Sequence, residues 1–305
     1  MNIDKVKIIE VGPRDGLQNE QVFVPTEAKI EFINLLAEAG FSEIETTSFV
    51  NPKTIPQLSD AKEVLNGIKR RPQTAYSCLI PNLKGLKNAF SVPFQKAVFF
   101  VAASETFNKK NVNMSIAESF EMFKEMTKVC SDNGWAIRGS ISTAFVCPFE
   151  GSVEYDNVAR VIDNFMELGV KELSLCDTIG IVSPKEVEGL LYYLEKRYSL
   201  IDFSLHLHNT KGCAIASVYK GYELGIRTFE TSVGGLGGCP NAPGAAGNLA
   251  TEEVVYLFER TGVKTDIDFE KLLKAAFFIE SRLGKFLSSS LLNYHRCIDK
   301  REDKR

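Results

Sequence analysis

Short β-rich apolar runs alternate with longer segments whose apolar residues recur at helical spacing, from the start of the chain to about residue 262. The runs predicted to form strands are Val6 to Glu10, Glu43 to Ser48, Thr74 to Leu79, Lys96 to Val101, Ala136 to Thr143, Glu172 to Cys176, Asp202 to Leu207 and Arg227 to Ser232. Between them, sets such as Ile30, Ile33, Leu36 and Ala37, or Val158, Val161, Ile162, Phe165 and Leu168, mark helices with one buried stripe. Gly40, Gly134, Gly169 and Gly225 supply stop signals a few residues before the next strand, and Thr26-Glu27 and Ser183-Pro184 supply starts. Eight βα units in series, with no strand-only or helix-only block, call for a parallel sheet in an α/β fold. Closure into a (β/α)8 TIM barrel is expected over an open doubly wound sheet, because the count is eight and no GxGxxG turn follows the first strand. Residues 1–262 are thus expected to form one barrel. Helical spacing continues from Asp266 to Leu292, so residues 263–305 are expected to add C-terminal helices and a charged tail, packed outside the barrel or over its mouth.

Composition narrows the class. The hydrophobic share of 44% and charged share of 25% are ordinary for a folded globular chain and exclude disordered, collagenous and coiled-coil classes. Thirty-six basic and 39 acidic residues give a net charge of -3 without a basic block, so no nucleic-acid footprint is visible. The longest apolar runs, such as Lys96 to Ala103, are too short to span a bilayer, and acidic residues stand in the first segment where a signal peptide needs an apolar stretch. A cytoplasmic location is expected. Seven widely spaced cysteines without a CxxC pair fit reduced thiols better than a disulfide framework or a structural zinc site.

A barrel of this kind carries its active site at the C-terminal ends of its strands, and the polar residues unusual for buried strands gather there. Arg14-Asp15 follows the first strand, Glu45 and Ser48 lie on the second, Asp177-Thr178 end the sixth, and His206 and His208 end the seventh. Residues two apart on a strand project from one face, so both imidazoles enter the same space. With a carboxylate they make a divalent-metal site; without one they are a hydrogen-bonded pair. Asp15 is a metal ligand with Arg14 as an oxyanion stabiliser, or else the two form a strand-end ion pair. The stretch Gly234 to Asn248, GGLGGCPNAPGAAGN, has six glycines and two prolines, which suits close approach to a ligand or a moving lid. Cys239 at its centre is an inert thiol or a proton donor, and Asn248 at its end is a helix N-cap or an oxygen ligand. Lys109 and Lys110 either face an anionic cofactor tail or sit in a solvated loop.

Taken together, EVGPRDGLQNE, IETTSFVNPKTIPQ, SETFNKKN, RGSISTAFVCPFEG, LCDTIG, LHLHNT and SVGGLGGCPNAPGAAGN resemble the 3-hydroxy-3-methylglutaryl-CoA lyase family over nearly the whole barrel. The RD and HxH motifs mark a broader group of metal-dependent barrel lyases and synthases, whereas the GLGGCP loop with APGAAGN points to the CoA lyases. The resemblance implies an acyl-CoA substrate cleaved to acetyl-CoA and acetoacetate, as in leucine degradation and ketone-body formation, and commonly a homodimer. It implies that Asp15, His206, His208 and Asn248 surround Mg²⁺ or Mn²⁺, that Arg14 polarises the thioester carbonyl, that Glu45 and Asp177 complete the polar pocket, and that Cys239 lies on the catalytic loop. Asn241 and Gln21 depart from the Tyr or Phe and the Lys common at those places, which leaves the acyl group less defined than the chemistry. A related hydroxyacyl-CoA such as citramalyl-CoA is the alternative substrate. A Claisen-type synthase fits less well, because only about forty residues follow the barrel.

Overall fold

A computed structural model describes residues 4–238 and 247–302. Ten strands form among the described residues: β1 (Lys7–Glu10), β2 (Glu43–Ser48), β3 (Ala75–Leu79), β4 (Lys96–Ala102), β5 (Ala136–Ser142), β6 (Val146–Cys147), β7 (Gly151–Ser152), β8 (Glu172–Asp177), β9 (Asp202–Leu207) and β10 (Thr228–Thr231). Eight of them close a parallel barrel in the order β1-β10-β9-β8-β5-β4-β3-β2. These are the eight predicted strands, with ends shifted by a residue or so. The antiparallel pair β6 and β7 was not expected. With two residues in each strand, it is too short to leave a period in the sequence.

The helices cover the barrel as the apolar stripes require. Ser183 caps the helix Pro184–Glu195 through a reciprocal capping box with Glu186, as the Ser-Pro start signal implies. The segment after β4 holds two helices, Glu105–Val112 and Ile116–Asp132, capped by Ser104 and Ser115. Lys109 and Lys110 are therefore helical and not in a loop. The extension forms the helices Phe269–Leu283 and Ser290–Glu302. Asp268 caps the first of these and its backbone N–H donates to Ala39 O at 2.8 Å, fastening it beside the helix Thr26–Ala39. Among the described residues, no helix is long and apolar enough to cross a membrane.

The extension also reaches the mouth. Gly234 has φ +65°, and a Cβ there would lie 2.2 Å from Leu287 Cδ1, so both the backbone conformation and the space admit only glycine. The start of the glycine-rich loop is thus clamped between the barrel and the turn that joins the two C-terminal helices.

Candidate active site

Each segment that enters the mouth is fixed by backbone geometry. After β1 the chain makes one wide helical turn, Gly12–Gly16, in which Val11 O accepts from both Arg14 N (3.1 Å) and Asp15 N (2.8 Å). That turn delivers both side chains to the barrel axis. At the end of β9 the segment 247–249 runs alongside the strand, with Leu249 N donating to Leu207 O at 3.1 Å and Asn209 N to Gly247 O at 3.0 Å. Asn248 thereby stands beside His208. Gly237, at φ +124°, makes room for it, because a Cβ there would lie 2.5 Å from the Asn248 amide nitrogen.

Asp15, His206 and His208 converge, with one donor atom of each within 4.8 Å of the others. Asp15 Oδ2 is 3.9 Å from each imidazole Nε2 and accepts from Asn248 Nδ2 at 2.7 Å. Its Oδ1 accepts from Arg14 Nη1 and from Gln18 Nε2. Burial pushes the Asp15 carboxyl up, but Arg14, His206 and His208 outweigh it and hold the group down at about 2. His208 is pushed down to about 4 by burial and then by His206, so it is neutral with a lone pair available. Burial also opposes charge on His206, yet its bond to Glu230 and the charge of Asp15 raise it above the usual value.

Among the described residues, the buried polar atoms without a hydrogen-bond partner include two at this site, Asn248 Oδ1 and His208 Nδ1. An amide oxygen without a partner, on the side chain whose nitrogen bonds Asp15, together with a carboxylate and two imidazoles fits a divalent cation. Arg14 is held by Glu45, which accepts from its Nε, and by Asp15, while Nη2 makes no hydrogen bond among the described residues. Arg14, Asp15, His206 and His208 all line a cavity of about 460 Å³ at the mouth.

The remaining predicted residues separate by environment. Glu45 lies beneath the cavity, between Arg14 and Arg138. Thr178 lines the cavity while its hydroxyl accepts from Thr143 N at 2.8 Å. Asp177 instead turns back on its own loop, accepting from Gly180 N at 3.0 Å and Val182 N at 2.8 Å, and burial pushes it up to about 6. Ser48 is buried, with its hydroxyl on Leu79 O. Lys109 is exposed and paired with Glu105 at 3.3 Å, and Lys110 stacks on Phe149 at 4.4 Å; neither lines the cavity. Cys239 lies outside the described residues.

Five charged groups below and beside the site, Glu43, Lys96, Arg138, Glu172 and Glu230, escaped the sequence reading. Glu230 Oε2 is 3.2 Å from His206 Nδ1, which turns Nε2 toward Asp15. Under it Arg138 contacts three carboxylates, those of Glu43, Glu45 (2.6 Å) and Glu230 (3.4 Å). Lys96 adds contacts to Glu43 at 2.8 Å and Glu172 at 2.5 Å. The usable signal was charge inside parallel strands at two-residue spacing, Glu43 with Glu45 above all. Such groups must be paired when both faces of the sheet are covered.

Two further carboxylates, Glu10 and Glu252, have no cationic partner among the described residues. Glu10 accepts from Gly12 N, Val233 N and Thr251 Oγ1, and Glu252 accepts from Gly234 N. Together they tie the Arg14-Asp15 turn, the start of the glycine loop and the helix after Asn248. Burial pushes Glu10 up to about 8 and Glu252 up to about 7, against the pull of their backbone and hydroxyl donors. A carboxyl whose folded value exceeds its usual 4.5 retains protons that the unfolded chain has released. Its contribution to stability is fully present below 4.5 and is lost as pH rises through the folded value. The denaturation midpoint is accordingly expected to fall as pH rises from about 4.5 to about 8, and Glu252→Gln should flatten that decline. An unaltered slope in urea titrations would show that Glu252 titrates normally.

A closed parallel barrel with a carboxylate, paired imidazoles and a guanidinium at the C-terminal ends of its strands defines a barrel enzyme of the metal-assisted type. A family model for HMGL-like proteins matches residues 5–279. The chain is 46% identical over 285 residues to the hydroxymethylglutaryl-CoA lyase YngG of Bacillus subtilis, covering 93% of this chain and 95% of that one. It is 45% identical to the mitochondrial hydroxymethylglutaryl-CoA lyase of Homo sapiens, covering 94% and 88%. A solved HMG-CoA lyase from Acinetobacter baumannii, in complex with coenzyme A and 3-methylmalate, superposes with a TM-score of 0.92 at 38% identity, covering 96% of each chain. The chain belongs to the hydroxymethylglutaryl-CoA lyase family of carbon–carbon lyases.

Proposed function

We propose that the protein cleaves 3-hydroxy-3-methylglutaryl-CoA to acetyl-CoA and acetoacetate with Mg²⁺ or Mn²⁺ held by Asp15, His206, His208 and Asn248. The observation that carries this reading is the convergence of Asp15, His206 and His208, with the Asn248 amide bonded to Asp15 through its nitrogen and its oxygen left without a partner, beside the open edge of Arg14. Cleavage is a retro-Claisen step. The tertiary hydroxyl loses its proton, the bond to the α-carbon breaks as the ketone forms, and the electron pair remains as a thioester enolate that is then protonated. A bound divalent cation supplies Lewis acidity that lowers the hydroxyl pKa and orients the substrate. Arg14 meets the thioester oxygen through the edge its carboxylate partners leave open, where negative charge grows. Asp15 and His206 are the bases available for the hydroxyl proton, with Glu230 fixing the ring of His206. Cys239, on the catalytic loop by the family resemblance, is with His206 the candidate to protonate the enolate carbon.

A panel of hydroxyacyl-CoAs assayed with each metal tests the reading. Acetoacetate from the methylglutaryl compound is expected; pyruvate from citramalyl-CoA alone would replace the substrate, and no ketoacid from any member would remove the activity. His208→Ala should lower metal affinity by about 10–100-fold or more, given what loss of even an outer-shell partner costs. Full metal content by elemental analysis after dialysis would sink that ligand assignment. The reading includes a homodimer and a cytoplasmic location, for which light scattering and cell fractionation are the measurements.

A further inference from the structure

The inner wall of the cavity is a ring of strand side chains. Leu79 on β3, Phe100 on β4, Ser140 on β5, Cys176 on β8 and His206 on β9 all line it. Phe100 pairs in register with Ser140, and Cys176 with His206. Residues in register on adjacent strands lie about 4.8 Å apart and project alike. The arc of the ring next to His206 is therefore Cys176 and then Ser140, whose Sγ and Oγ are 3.3 Å apart. Phe100 and Leu79 continue it as an apolar rim. Serine and cysteine are the smallest side chains of the five, so the wall is dented beside the imidazole.

Cys176 is placed as surface and not as a nucleophile. Burial pushes its thiol up to about 12, and its Sγ also lies 3.7 Å from the Ser174 hydroxyl. A neutral thiol is a compact, polarisable surface that packs well against alkyl groups.

A tertiary carbinol carbon whose hydroxyl is directed at Asp15, His206 and His208 carries three carbon substituents: the carboxymethyl arm, the thioester arm and an alkyl group. The small uncharged wall beside His206 suits the alkyl group rather than either polar arm. We infer that Cys176 and Ser140 form the subsite for the alkyl group on the carbinol carbon and set its size. This inference rests on the lyase reading above and widens its substrate class to 3-hydroxy-3-alkylglutaryl thioesters bearing ethyl as well as methyl.

The test compares kcat/KM for the methyl, ethyl and propyl thioesters in the parent protein and in Cys176→Leu, Ser140→Val and Cys176→Ala. A methylene gained or refused by an apolar pocket is worth about 10–200-fold. The ethyl-to-methyl ratio should fall by at least about tenfold in Cys176→Leu and in Ser140→Val, and rise by about threefold or more in Cys176→Ala. A ratio taken within one variant cancels differences in metal loading and folded fraction. The free 3-alkyl-3-hydroxyglutarates, titrated calorimetrically into Mg²⁺-loaded protein, should follow the same order without turnover. Ratios that do not move in the folded variants overturn the subsite; should Cys176→Leu not fold, Cys176→Ala and Ser140→Val still decide. A parent protein that cleaves none of the three thioesters overturns the lyase reading and the subsite with it, so the two failures are distinguishable.

Discussion

Replacing Arg138 by methionine should destabilise the protein by about 3–5 kcal/mol, the cost of removing one partner from a buried charge cluster. Arg138 is 2% exposed and is the shared partner of Glu43, Glu45 and Glu230, which are 0%, 1% and 3% exposed. Burial opposes its charge, but the three carboxylates overcome this and raise it above the ordinary arginine value. Glu43, held at about 2 against burial by Arg138 and then Lys96, would keep Lys96 and Lys7 in the variant. Glu230, held well below the usual carboxylate range chiefly by Arg138, would keep His206 and the hydroxyls of Ser204 and Ser174.

The sign with pH provides a second check. A carboxyl with a depressed folded value contributes stability that is present above its unfolded value and lost as pH falls through the folded one. In the variant the depression of Glu230 largely vanishes and that of Glu43 weakens, so the stability gap between parent and variant should be widest near neutral pH and narrow as pH falls below about 4.5 toward the folded value of about 2. Arg138→Lys should recover little, because an ammonium cannot fork between carboxylates on separate strands. Urea unfolding of the three proteins at pH 7 and pH 4 measures all of this. A loss under about 1 kcal/mol at pH 7 would mean that the cluster is no more valuable than an exposed ion pair.

That cluster also marks where sequence reading stopped. The barrel was legible because a parallel strand buried on both faces is a short apolar run, and a helix on it has one stripe; neither signal needs knowledge of partners. The strand-end residues Asp15, His206 and His208 were legible for a related reason, since two-residue spacing fixes the side to which both imidazoles project. Glu230 and Arg138 were not singled out, because each is explained only by groups far away in the chain: His206 by Glu230, 24 residues on, and Glu43 by Arg138, 95 residues on. Asp177 illustrates the reverse case. Its position at a strand end is that of a site residue, yet its carboxylate folds back onto the N–H groups of its own loop, a local hydrogen bond that composition does not reveal. Asn248, open between cap and ligand in the sequence, makes no cap bond: the helix Thr251–Arg260 begins after Ala250, and the Asn248 amide faces Asp15.

Arg14→Gln should lower kcat by at least about 10²–10³-fold, equivalent to about 2.7–4 kcal/mol of transition-state stabilisation, the range for deleting one preorganised oxyanion donor. The guanidinium is held on two sides, Nε by Glu45 and Nη1 by Asp15, and it lines the cavity with Nη2 left over. Burial opposes the charge, but Glu45 and Asp15 more than offset it and keep the group cationic throughout the working pH range. Because its orientation is set before substrate arrives, little reorganisation remains when charge moves onto the thioester oxygen. Glutamine keeps part of the stem and one donor but loses the charge and the fork. It also frees Asp15 Oδ1, so metal content must be measured alongside turnover. Arg14→Lys should be nearly as impaired, since one ammonium cannot hold Glu45 and Asp15 and still present a donor to the cavity. The expected pattern is a fall in kcat with retained metal and a KM within about tenfold of the parent, which places the lost interaction in the transition state. Unchanged kcat with metal in place would remove Arg14 from the chemistry and leave it as the cation that orders Glu45 and Asp15.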